Sequence, residues 1–205
     1  NISEVLTPER KETLIDEAAE AFTGVLDSLL IDHKNDPNSL DTARRLAKMY
    51  YNEIMVGRYE PRPKVTAFPN DDLSDRYTGM LVVRAEIKSM CSHHHQPVNG
   101  VCYIGVLPGV KVIGLSKYAR IAQWCARRGT LQEELNRQII EEIKKATGAA
   151  DVGVYIEAKH GCMENRGVNA HSSLTQTCIL HGQFFNQSIK QEFYDNIKQQ
   201  HNNAC

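Results

Sequence analysis

The segment Cys91-Ser92-His93-His94-His95 packs one thiol and three imidazoles into five residues. His160-Gly161-Cys162 adds another of each, with Cys162 lying 71 residues beyond Cys91. Thiolate and imidazole are the ligands that suit Zn2+, and such sites draw short-spaced ligand pairs from two distant segments. Catalytic zinc keeps three protein ligands and leaves a fourth position for water, whose pKa falls to about 7. Three good ligands with histidines to spare fit a catalytic centre better than a closed structural one. The same residues also fit a blander account, in which the histidines form a polar turn and the cysteines serve as small hydrophobes. Spacing alone leaves both open.

Both segments fall at strand ends. Residues 79–91 and 101–107 are rich in β-branched and aromatic side chains, joined through Gln96-Pro97-Val98-Asn99-Gly100, and predict antiparallel strands. Residues 152–158 and 173–181 predict two more. Two helices lie between the pairs. The first takes Ser116 as N-cap and buries Ile121 and Trp124; the second opens on Thr130-Leu131-Gln132-Glu133, which fits a capping box, and buries Leu135, Ile139 and Ile143. Ile189, Phe193 and Ile197 mark a short C-terminal helix.

Upstream, Thr7-Pro8-Glu9 is a helix start, with Thr7 as N-cap and Pro8 at the first helical position. Leu14, Ala18, Phe22, Val25, Leu26 and Leu29 then recur at helical spacing. Beyond a break at Asp36-Pro37-Asn38, a second helix from about Asp41 carries Leu46, Met49, Tyr50 and Ile54 inward before Gly57. Three prolines and an Asn-Asp-Asp run make residues 59–77 a long connection. The expected architecture is α+β. A helical region with its connection occupies residues 1–75, followed over 76–205 by a ββααββ antiparallel sheet with helices on one side.

At 205 residues the chain has room for one well-buried domain plus an appendage. Its formal charge of -1 argues against a bulk electrostatic nucleic-acid binder. No apolar run approaches the roughly 20 residues that span a bilayer. The start, Asn1-Ile2-Ser3-Glu4-Val5, lacks a basic region followed by an apolar one. A cytoplasmic protein without nucleic-acid or membrane partners is expected. Six cysteines (91, 102, 125, 162, 178 and 205) in a chain of this size do not suggest a disulfide framework.

Taken in order, the motifs resemble GTP cyclohydrolase I. That family carries a Cys-x-His-His segment, a Gly-Leu-Ser-Lys-x-x-Arg segment, a Gln-Glu pair and a His-x-Cys-x-x-x-Arg-Gly segment. Here they are Cys91 to His94, Gly114 to Arg120, Gln132-Glu133 and His160 to Gly167. The run from Asp41 to Tyr50 is similar to the family's helix preceding the sheet, and the likeness extends over about residues 40 to 198. It implies the tunnelling fold (T-fold), which matches the ββααββ order. It also implies hydrolytic opening of the guanine ring of GTP at C8, loss of formate, and reclosure to a dihydropterin triphosphate.

By this resemblance Cys91, His94 and Cys162 are the ligands of a catalytic Zn2+. His93 and His160 match the family's acid–base histidines, and imidazole suits repeated proton transfer near neutral pH. His93 has a second reading, as a residue that only orients His94. Glu133 matches the carboxylate that takes the guanine N1–H and exocyclic amine, with Gln132 beside it, although Glu133 also occupies the third position of the capping box. Ser116 and Lys117 begin a helix, where free N–H groups favour anions, and Arg120 lies about one turn along. With Arg166, Arg45 and Lys48 they match the triphosphate-binding positions; singly, each would pass for a solvated charge. The family further implies a homo-oligomer, typically a decamer of two pentamers, with active sites at subunit interfaces.

Some residues depart from the pattern. Ser92 stands where glutamate is usual and His95 where an apolar residue is common, making His95 a possible competing ligand. Gly129-Thr130 and the stretch from Gly167 to His171 also differ, marking a divergent branch. Two other readings are a T-fold nitrile reductase and a non-catalytic, zinc-stabilised binding protein. The retained zinc segments weigh against the first, and the retained His93, His160 and Glu133 against the second. Folate, tetrahydrobiopterin and deazapurine synthesis all begin with this product, and the sequence does not choose among them.

Overall fold

The computed structural model describes residues 3–70 and 76–202, so Cys205 and part of the expected long connection lie outside the described residues. The chain divides into two compact units, Asn1–Pro61 and Arg62–Cys205. In the first, α1 (Pro8–Ser28) starts as expected, with the Thr7 hydroxyl oxygen accepting from the Arg10 N–H at 3.2 Å. It packs on α2 (Thr42–Met49), which continues as a π turn, Tyr50–Ile54, and a 3-10 turn, Val56–Arg58. Ile15 and Leu26 are buried, and Phe22 stacks on Tyr50 with ring centroids 5.6 Å apart. The buried stripe is narrower than expected, because Val25 and Leu29 stay exposed. At about 1.5 Å per residue, α2 is too short to cover the length of α1.

In the second unit β1 (Ala67–Pro69), inside the expected connection, pairs with β4 (Lys111–Ile113). The main sheet contains β2 (Leu81–Met90), β3 (Pro97–Val106), β5 (Val152–His160) and β6 (Thr175–Leu180), in the order β2-β3-β5-β6 and antiparallel throughout. Strand β3 begins earlier than the sequence suggests, with Pro97 in register with Met90. Asn99-Gly100 looks like a turn signal, but a Cβ at Gly100 would lie 2.1 Å from the Glu157 carbonyl oxygen. That glycine serves a close strand approach, and the turn is the Cys-His segment itself.

Helices α3 (Leu115–Ala126) and α4 (Gln132–Thr147) lie on one face of this T-fold sheet. Alternate strand residues (Cys102, Ile104, Val154 and Ile156 among them) meet Ile121, Leu135, Ile139 and Ile143 there in the main core. Both helix starts depart from expectation. Helix α3 takes Gly114 as its N-cap, so Ser116 sits inside the first turn. Helix α4 takes Leu131, with no side-chain cap bond, and the Thr130 hydroxyl is buried without a partner among the described residues. The capping box is not formed.

The other face carries a smaller core. Helix α6 (Gln187–Asn202), longer than the expected short helix, places Phe193 and Ile197 there with Phe184 and Tyr103. Gly105 and Gly153 stand opposite each other in β3 and β5, and a Cβ on either would come within 3.0 Å of the Phe184 ring. The two glycines thus make the bed on which Phe184 and Phe193 meet edge to face at 5.3 Å. Phe193→Ala is expected to destabilise the fold by about 3–5 kcal/mol, read as a lowered urea midpoint. Little change would mean that this second core is not a support of the sheet.

The cysteines at 91, 102, 125, 162 and 178 are free. Burial pushes the Cys102 thiol up and the Cys125 thiol up to about 12, which suits small apolar fillers. No helix among the described residues is long and apolar enough to cross a membrane.

Candidate active site and metal centre

Between β2 and β3 the chain turns through residues 91–96. The Cys91 N–H donates to the Gln96 carbonyl at 2.9 Å and the His95 N–H to the Cys91 carbonyl at 3.0 Å. His95 adopts a left-handed backbone, φ 50°, to close this turn. Val98 is in register with His160, so the turn sits beside the end of β5, where the single-turn helix α5 (Gly161–Glu164) begins. A Cβ at Gly161 would lie 3.1 Å from Pro97, a second close approach. These constraints bring one donor atom each of Cys91, His94 and Cys162 within 4.8 Å of one another.

The donor set fits a zinc ion. Bonds of about 2.3 Å to sulfur and 2.0–2.1 Å to nitrogen in a tetrahedron separate the two sulfurs and the nitrogen by roughly 3.5–3.8 Å, so only a small contraction is needed. Cys91 is buried, Cys162 half-buried and His94 exposed, leaving one side of the cluster open. Burial, followed by the adjoining Cys91 thiol, pushes the Cys162 thiol up, while Arg166 pulls it down. A bound cation would reverse the balance by favouring both thiolates. His95 does not belong to the donor cluster.

His93 is exposed, its ring centroid 6.1 Å from that of His94. His160 closes β5, with Nε2 2.7 Å from Gln132 Oε1. Burial draws its pKa below the ordinary value, against Glu133 and Glu164, whose carboxylates are near enough to raise it. Glu133 is exposed on the first turn of α4. Gln132 is not beside it on the surface: it is buried, and its Nε2 donates to the carbonyls of Ile156 at 3.3 Å and Thr175 at 3.2 Å.

The phosphate candidates divide. Arg166 is exposed in the loop after α5, close enough to act on Cys162. The Ser89 hydroxyl donates to the Ala126 carbonyl at 2.7 Å, tying the last turn of α3 to the end of β2 that leads into the turn at residues 91–96. Ser116, half-buried Lys117 and Arg120 therefore lie toward the other end of the sheet; Ser116 is about 15 Å from Ala126 along the helix axis. One copy of the chain does not bring them to the Cys-His-Cys cluster. Arg45 and Lys48 are exposed on α2 in the first unit, Arg45 within 3.5 Å of Asp41.

Sequence reading missed the polar residues behind Gln132. Asn136 is fully buried and pairs with Thr177, whose hydroxyl lies 2.7 Å from Asn136 Oδ1. The signal was an asparagine inside the apolar stripe of α4, between Leu135 and Ile139.

Comparison with known proteins agrees with the motifs. A family model described as GTP cyclohydrolase I matches residues 18–198. GTP cyclohydrolase 1 of Pseudoalteromonas translucida is 40% identical over 169 residues, 80% of this chain and 90% of that protein. The Flavobacterium johnsoniae protein of the same name is 35% identical over 189 residues, 91% and 83% of the two lengths. GTP cyclohydrolase 1 1 of Pseudomonas putida is 43% identical over 163 residues, 78% and 83%. The archaeosine synthase QueF-Like structure, in the apo form, aligns with a TM-score of 0.39 at 13% identity, over 50% of this chain and 93% of that one. Matched by the family model over residues 18–198 and by relatives along most of both lengths, the chain belongs to the GTP cyclohydrolase I family.

Proposed function

We propose that this chain catalyses the zinc-dependent opening of GTP. Water adds at C8 of the guanine ring, formate leaves, and the ribose carbons reclose the ring as 7,8-dihydroneopterin triphosphate; GTP and one water balance formate and this product. The observation that carries the reading is the convergence, at one end of the sheet, of the Cys91, His94 and Cys162 donors with His160 and Glu133. Cys91, His94 and Cys162 would hold the ion, which would supply Lewis acidity and lower the pKa of a water there.

The remaining work falls to side chains. Glu133 accepts from the guanine N1–H and exocyclic amine, two parallel donors that adenine does not offer. His160 and His93 move protons to and from the opening ring. Gln132, whose amide is engaged inside the protein, acts through His160. Arg166 meets the triphosphate from the same chain, and Arg45 and Lys48 are proposed as further phosphate-binding residues. Ser116, Lys117 and Arg120 reach the site from a second copy, since within one subunit they lie toward the opposite end of the sheet. This supports a site shared between subunits and an assembly that covers the open edges of β2 and β6, expected as a decamer of two pentamers. We place the reaction in the cytoplasm, at the head of pterin synthesis.

Nucleotide choice tests the reading. With zinc supplied, GTP is expected to yield formate and a pterin that fluoresces after oxidation, inosine triphosphate to react more slowly for want of the amine, and ATP not at all. Equal turnover of GTP and ATP would remove Glu133 from its role.

A further inference from the structure

Behind His160 a line of hydrogen-bonded polar side chains runs along the interface of α4 with β5 and β6. Gln132 and Asn136 are 5% and 0% exposed and lie four residues apart on α4, facing β5 and β6. Asn136 Nδ2 donates to the Val154 carbonyl at 3.0 Å and the Thr177 carbonyl at 3.4 Å. The Thr177 hydroxyl donates to Asn136 Oδ1 at 2.7 Å, and its oxygen accepts from Gln132 Nε2 at 2.9 Å. Gln132 Oε1 then faces His160 Nε2 at 2.7 Å.

The direction of each bond is forced. Carbonyl oxygens only accept, so those of Val154, Ile156 and Thr175 require the NH2 ends of both amides to point toward them. Flipping Gln132 would set Oε1 against two carbonyl oxygens, a repulsive contact, and turn its NH2 away from them. With its NH2 fixed on the carbonyls, Asn136 turns Oδ1 to the Thr177 hydroxyl, which must donate. Its lone pair then shares the two N–H of Gln132 with the Ile156 and Thr175 carbonyls, and Gln132 offers His160 an acceptor only.

We propose that Asn136 and Thr177 are positioning residues: acting through Gln132, they hold His160 as the Nε2–H tautomer and leave Nδ1 as the nitrogen that takes and returns the proton. This builds on the reading of His160 as a proton-transfer group. The backbone of β5 and β6 thereby sets which ring nitrogen can react, through three side chains between the sheet and His160.

Thr177→Val deletes the hydroxyl while keeping the shape and strand preference of the residue, and Thr177→Ser restores it. Thr177→Val is expected to lower kcat about 10- to 100-fold, with KM for GTP changed less than about twofold and zinc content unchanged. Thr177→Ser should recover most of the loss. The spectroscopic readout is the 15N ring shifts of labelled histidine, with His160 assigned by its absence in His160→Asn. The parent should show a protonated Nε2 and bare Nδ1, and Thr177→Val a mixture of tautomers. A parent carrying the proton on Nδ1 would overturn the proposal, as would Thr177→Val with unchanged kcat or tautomer, or a serine variant as impaired as the valine. The ring shifts need no substrate. A chain that fails to open GTP therefore counts against the proposed function, while the shifts still decide the wiring.

Discussion

Cys162→Ala is expected to lose stoichiometric zinc and to reduce GTP turnover on the order of a thousandfold or more, while the chain stays folded. Cys162 is half-buried on a single turn of helix, packed against the rim of the main core but not among its buried residues. The features that seat that turn do not involve its thiol: Gly161 fits closely against Pro97, and the Ala170 N–H donates to the Met163 carbonyl at 2.8 Å. What the substitution removes is one of three donors within 4.8 Å, leaving Cys91 and exposed His94. Two protein ligands fall short of the three that catalytic zinc sites use. Metal analysis, circular dichroism and turnover on one preparation check the three parts together. An active, zinc-free variant, or one that keeps a full complement of zinc, contradicts the ligand assignment.

Glu133→Ala is expected to lower kcat/KM for GTP by about a hundredfold or more, with the melting temperature nearly unchanged. Charge-assisted hydrogen bonds contribute about 1.5–3 kcal/mol each, and the proposed guanine contact has two of them. Stability should hardly respond, because α4 takes Leu131 as N-cap and no side-chain cap bond forms. All that remains is the attraction of a first-turn carboxylate to the helix N-terminus, about 0.3–1 kcal/mol. Glu133→Gln should be nearly as poor, since its NH2 would face donors on the guanine edge. A large fall in melting temperature with normal KM would restore the cap as the purpose of Glu133.

The candidate metal donors, the succession of strands and helices along the chain and much of the main core were legible because each leaves a local pattern. Cys91, His94 and Cys162 sit at strand ends that β-branched alternation marks, and Ile121, Leu135, Ile139 and Ile143 follow helical spacing into the core. What misled was residues whose local signal had a tertiary cause. Gly100 mimics a turn while clearing space for β5. Thr130 has the right type for a cap but is buried one position too early. The spacing of Phe193 and Ile197 defines a stripe on α6 without saying which face of the sheet it covers. The separation of Ser116, Lys117 and Arg120 from the metal cluster was equally hidden: α3 starts where β3 and β4 have carried the chain away from the Cys-His turn. Gln132 shows the same limit, its identity legible but its inward orientation a consequence of β5 and β6.

The most direct test follows the guanine carbon itself. GTP labelled at C8 is incubated with metal-free protein while zinc is titrated to one ion per chain. Labelled formate should appear in proportion to bound zinc, matched one for one by pterin, with no further gain beyond the first equivalent. A chain carrying one zinc ion per subunit at the Cys91, His94 and Cys162 cluster, yet releasing no labelled formate, would contradict the account.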